Sequence, residues 1–128
     1  MSPHTHRMEK RILLVEDELT YRTIILSILR KSGFHCTFCV DGDHALKKLA
    51  QEKFDLLIVD YLIPGPNGIE IVRWVRKHGI DIPALVITNY PSDELSENSK
   101  TLEHTKFLSK TSFNVSSMPK IVQEMLPS

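Results

Sequence analysis

No stretch of this chain approaches the roughly 20 consecutive apolar residues of a membrane-spanning helix, and its N-terminus lacks the apolar core of a secretory signal. Net charge is missing as well, because 16 basic residues balance 16 acidic ones. That balance argues against a dedicated nucleic-acid or membrane-surface binder, which would carry an excess of lysine and arginine. Internal repeats, low-complexity tracts and a linker to a second domain are also lacking. A single domain is expected, since 128 residues are enough to bury a real core. The cytoplasm is its expected location. Cysteine is scarce, and the two present, Cys36 and Cys39, form a C-x-x-C that in another setting would suggest a redox pair. Here the string FHCTFCV reads as a strand, in which residues three apart point to opposite faces. It also lacks the helix N-terminus that lowers a thiol pKa. Two reduced, buried thiols are therefore expected.

What is present is organised around residues 54–68, FDLLIVDYLIPGPNG. Leu56, Leu57, Ile58 and Val59 are too few for a helix and too continuous for a strand with one wet face. They predict a strand buried on both sides. That strand ends in a carboxylate, Asp60, before Pro64, Gly65, Pro66, Asn67 and Gly68 turn the chain. Ligands of open α/β sheets sit just beyond the carboxyl ends of the strands. Asp60 is therefore the first candidate for chemistry.

The rest of the chain builds a frame around that strand. Residues 1–10 carry His4 and His6 without periodicity and read as a loose tail. RILLV, residues 11–15, predicts a short buried strand, and three acids follow it: Glu16, Asp17 and Glu18. Tyr21, Ile24, Ile25, Ile28 and Leu29 have helical spacing over residues 19–31, with Gly33 as a left-handed cap. A second strand is expected at 34–40, and Asp41 can cap a helix holding Ala45, Leu46, Leu49 and Ala50. After Asp60 comes a helix over 68–77 with Ile69, Val72 and Val75 inward and Trp74 in a packing role. A fourth strand is expected at 82–88 and a weakly anchored helix within 91–100. A fifth strand at 105–109 precedes Lys110, and Pro119 is placed at the first position of a last short helix. Strands alternating with helices predict a doubly wound α/β domain with right-handed crossovers.

Polar residues at four strand ends then converge on one edge of the sheet: Glu16 and Asp17, Asp60, Thr88 and Lys110. Three carboxylates about 4 to 6 Å apart repel by a few kcal/mol per pair at an effective dielectric near 20. Lys110 can offset only one of them. A hard divalent cation resolves the remainder, and an all-oxygen site with spare water positions suits Mg²⁺.

These residues resemble the receiver domains of two-component response regulators. ILLVEDE is similar to that family's first strand and acidic pair, and LLIVDYLIPGPNGIE to its phosphoacceptor strand and loop. VIT ending at Thr88 and FLSK ending at Lys110 complete the set. The likeness covers residues 11–126 and implies a flavodoxin-like, CheY-like parallel sheet of five strands in the order 2-1-3-4-5, flanked by helices. It also implies that Asp60 takes a phosphoryl group from a sensor histidine kinase or a histidine phosphotransfer protein. Asp17, Asp60 and the backbone carbonyl of Leu62 would hold Mg²⁺ directly, and Glu16 through water. Lys110 would offset phosphoryl charge, and Thr88 would hydrogen-bond the phosphoryl group while the ring of Phe107 switches. No output domain fits after Leu126, so the output is expected to go to a downstream protein or to the C-terminal output domain of a longer regulator. Membrane attachment and direct nucleic-acid binding are not expected.

Three departures from the family pattern touch the output surface rather than the chemistry. Asn89 stands where a very small residue is usual, Thr111 replaces the proline after the lysine, and Met118 before Pro119 shortens the last helix. The resemblance also implies that Leu62 and Tyr90 occupy the two positions flanking the path of an attacking water, where neither could orient one. Two rival readings accompany this one. The first is a receiver-like interaction module that signals without phosphorylation. The second is a haloacid-dehalogenase-like phosphatase, which needs a second acid where Leu62 stands.

Overall fold

The computed structural model of this chain describes residues 9–89 and 101–127. Most of the expected tail and the helix expected within 91–100 lie outside those residues. Five strands are present: β1 Arg11–Val15, β2 His35–Cys39, β3 Leu56–Asp60, β4 Ala84–Thr88 and β5 Thr105–Ser109. They form one parallel sheet in the order β2-β1-β3-β4-β5, as expected. The described helices are α1 Leu19–Lys31, α2 Gly42–Gln51, α3 Gly68–Lys77 and, after a 3₁₀ turn at Val115–Ser117, α4 Met118–Met125.

Alternation along the central strands divides the core in two. Ile12, Leu14, Leu56, Ile58, Leu85 and Ile87 face α1 and α4, packing with Ile25, Leu29, Met118 and Val122. Leu13, Val15, Leu57, Val59 and Val86 face α2 and α3, packing with Ala45, Leu49, Ile69 and Val72. Both faces of β3 are covered, so all five of its residues are buried. Each such aliphatic side chain contributes about 1.5–3 kcal/mol relative to exposure. Cys36 and Cys39 are unpaired and buried in opposite layers. Burial pushes the Cys36 thiol up to about 11, as a structural rather than a redox cysteine requires.

Several boundaries differ from the sequence reading. β4 begins at Ala84 rather than Ile82, because Pro83 has no N–H to give the ladder, although its carbonyl accepts from Leu57 N at 3.0 Å. β2 is one residue shorter at each end. Ile24 is 40% exposed, and Ala50 lies on the outer side of α2. Met118, expected to stand outside the last helix, is helical and completely buried. Its burial opposes the usual steric preference of a residue before proline. Pro119 is then the second residue of the helix, where a missing N–H costs nothing.

The loop after Asp60 is held from two sides. Gly68 N–H donates to Tyr61 O at 2.9 Å, and a Cβ at Gly68 would come within 2.8 Å of Asp60 O. Gly42 N–H donates to Pro64 O at 2.9 Å, and a Cβ there would collide with Pro66 O. Only glycine allows α2, α3 and the loop to approach this closely. An Asn67–Glu70 capping box fixes the entry to α3.

Candidate phosphoacceptor site

Parallel pairing carries the ends of β1, β3, β4 and β5 to a common edge. Asp60 pairs with Ile87, Thr88 pairs with Ser109, and Lys110 N–H donates to Thr88 O at 2.7 Å. Lys110 thus enters beside Asp60 across 50 residues of sequence. Its ammonium donates to Asp60 Oδ2 at 2.9 Å and to Glu16 Oε1 at 2.7 Å. The three side chains are 9%, 10% and 0% exposed, respectively. The sequence reading gave the lysine one carboxylate to offset; in the structure it bridges two.

Glu16 is the deeper acid. Its second oxygen accepts from Glu18 N–H at 3.1 Å. Burial raises its pKa to about 7, Asp60 pushes the same way, and Lys110 opposes both. For Lys110, burial alone would lower the pKa, but the two carboxylates outweigh it and hold the ammonium above its ordinary value. Asp60 Oδ1 has a long contact of 3.4 Å from Leu62 N–H. Asp17 is exposed, and oxygens of Glu16, Asp17 and Asp60 all lie within 4.8 Å of one another.

A cavity of about 480 Å³ opens over these groups, lined by Asp17, Asp60, Leu62, Thr88 and Lys110 among others. Thr88 is 4% exposed, whereas the Leu62 side chain is 60% exposed at the cavity rim. Phe107 is half-buried against the core on the α2 and α3 face. Tyr90 lies outside the described residues. The Lys110–Thr111 peptide is trans, as no described peptide bond is cis.

Two groups at the site were not singled out by sequence reasoning. Glu18 caps α1 by accepting from Thr20 and Tyr21 N–H at 2.8 and 2.9 Å, and it borders the cavity. Tyr21 carries Lys110 Nζ 4.2 Å above its ring centroid. Helical spacing places it in the apolar stripe of α1. The available signal was a phenol in a row otherwise made of aliphatic residues, one turn after the acids.

A cluster of hard oxygen donors beside a buried lysine can hold a metal and stabilise an incoming anion at once. The family described as the response regulator receiver domain matches this chain over residues 12–123. The chain belongs to that family. This receiver is 32% identical to the response regulator receiver protein CpdR of Brucella abortus over 117 residues, 91% of this chain and 97% of that protein. It is 37% identical over 81 residues, 63% of this chain, to PhoP of Bacillus subtilis, a transcriptional regulatory protein of alkaline phosphatase synthesis. The aligned part spans 34% of that longer regulator. Among solved structures, the receiver domain of the sensor histidine kinase PA1611 of Pseudomonas aeruginosa PAO1 superposes with a TM-score of 0.81 at 26% identity. The match covers 94% of this chain and 99% of that domain, whose active-site cleft coordinates a magnesium ion. This receiver is a member of the two-component signalling system by family and by fold.

Proposed function

We propose that this receiver takes a phosphoryl group onto Asp60 from a phosphohistidine of a sensor histidine kinase or histidine phosphotransfer protein. The observation that carries the reading is the Lys110 ammonium bonded to Asp60 within an acid-lined cavity. One carboxylate oxygen of Asp60 attacks phosphorus as the bond to the donor's histidine nitrogen breaks. Lys110 holds the attacking group in place and offsets charge as it gathers on the phosphoryl oxygens. The Thr88 hydroxyl shifts inward to donate to a phosphoryl oxygen, and the ring of Phe107 moves into the space that Thr88 vacates. The donor set fits Mg²⁺: Asp17, Asp60 and the carbonyl of Leu62 would hold it, with Glu16 acting through water. When bound, the cation supplies charge neutralisation and orientation.

Residues 11–126 are the receiver unit in this reading, with 1–10 a tail. It acts in the cytoplasm and presents its switched face to a downstream protein or to an output domain, without binding nucleic acid itself. No described helix is long and apolar enough to cross a membrane.

Incubation with acetyl phosphate and Mg²⁺, read by intact mass, tests the proposal. Wild type is expected to gain one phosphoryl group and Asp60→Asn none; a wild-type yield on the variant would remove Asp60 as the acceptor. Millimolar Mg²⁺ should also raise the melting temperature by mass action, with a smaller rise in Asp17→Ala. An unchanged wild-type melting curve would argue against the cation site.

A further inference from the structure

Lys110 has three ammonium N–H donors and is nine-tenths buried, so each needs a partner. Glu16 and Asp60 take two. The Tyr21 ring centroid lies 4.2 Å from Nζ, well inside the range of a cation–π contact. Such contacts strengthen when the cation is desolvated, as this one is. The Tyr21 hydroxyl has no hydrogen-bond partner among the described residues, so it is the ring face that meets Lys110. Leucine would fill the same apolar position on α1. What leucine cannot offer is a ring face.

We propose that Tyr21 is a positioning residue for Lys110, its ring face serving as the third partner that holds the ammonium over Asp60. The role rests on the assignment of Asp60 as phosphoacceptor. As phosphoryl charge gathers, the bond from Lys110 to Asp60 must be partly exchanged for bonds to phosphoryl oxygens. The ring does not change charge during the reaction, so it fixes the ammonium through that exchange. α1 supplies this fixture from its first turn, where the Glu18 cap sets the Tyr21 backbone.

Tyr21→Phe keeps the face and loses the hydroxyl, whereas Tyr21→Leu keeps apolar bulk and loses the face. The full chain is phosphorylated with acetyl phosphate at saturating Mg²⁺, with rates followed by intact mass and Mg²⁺ affinity measured separately. Tyr21→Phe is expected within twofold of wild type. Tyr21→Leu is expected to be about threefold to thirtyfold slower in maximal rate, the span of cation–π contacts from exposed to desolvated, with Mg²⁺ affinity unchanged. A wild-type rate in Tyr21→Leu, or an equal loss in Tyr21→Phe, overturns the proposal. Should Tyr21→Leu not fold, Tyr21→Met carries the same comparison, since methionine adapts to irregular space.

NMR of the lysine side chains separates this idea from the phosphoacceptor assignment. The Lys110 ε-methylene signal should be shifted by the ring in wild type and Tyr21→Phe, and should return toward ordinary lysine values in Tyr21→Leu. If wild type takes up no phosphoryl group, the assignment of Asp60 fails, and the NMR comparison alone decides the positioning role. An unmoved signal in Tyr21→Leu then overturns it.

Discussion

β1 runs between two clusters of charge built the opposite way round. Near its start, Arg11 and Lys48 both reach Glu52, at 2.8 and 3.1 Å, with all three side chains more than a third exposed. Beyond its end, Lys110 reaches both Glu16 and Asp60, with no side chain more than 10% exposed. One carboxylate between two cations in water is ordinary surface chemistry, and such pairs contribute little. One ammonium between two carboxylates away from water leaves surplus negative charge, which a further cation or a proton relieves. Bonds of similar length therefore push both carboxyls the same way, and burial decides the outcome. The Arg11 and Lys48 hydrogen bonds lower the pKa of Glu52, whereas burial drives that of Glu16 upward in spite of Lys110. Depth in the fold, rather than the residue types in contact, separates a decorative pair from a reactive one.

The contrast can be broken at either end, and the buried end should give much the larger effect. Lys110→Met in metal-free buffer is expected to lose roughly 3 kcal/mol of stability in chemical denaturation, because two buried carboxylates are left facing one another. Adding Asp60→Asn to it should recover much of the loss, so the two changes are expected to be strongly non-additive. Simple additivity would mean that the carboxylates do not feel one another. At the surface, Glu52→Gln should barely move the melting temperature at neutral pH, and salt should erase what difference there is. The sign with pH follows from the lowered pKa of Glu52. Its contribution is present above the ordinary glutamate value of 4.5 and is lost as pH falls through the lower folded value. Wild type and Glu52→Gln should therefore converge in strong acid; a gap that widens there would contradict the pairing.

The parallel sheet and its polar edge were legible because β1, β3 and β4 are continuous apolar runs ending in polar residues, a pattern that a buried parallel strand almost forces. The strand order came from the resemblance to the receiver family. Strand-end position alone brought Asp60, Thr88 and Lys110 together. The charge distribution around Lys110 was not legible, since it depends on Glu16 turning inward while its neighbour Asp17 stays exposed. No periodicity distinguishes two adjacent acids in a loop. Tyr21 was hidden for a related reason: helical spacing names a face, and its contact with Lys110 joins opposite ends of the chain. Ile24 and Ala50 show the limit of spacing in the other direction, being apolar residues within the helical pattern that the helices leave outside.

The bond from Lys110 to Glu16 spans 94 residues, and that separation bears on the order in which this protein comes into being. Contacts so distant in sequence are costly to close and tend to form late in folding. The acids on β1 and β3 can meet once those strands pair, but the ammonium arrives only when β5 has added to β4. Until then the edge is a cluster of carboxylates without a counterion. In a refolding experiment, uptake of a phosphoryl group should therefore lag behind recovery of helical signal.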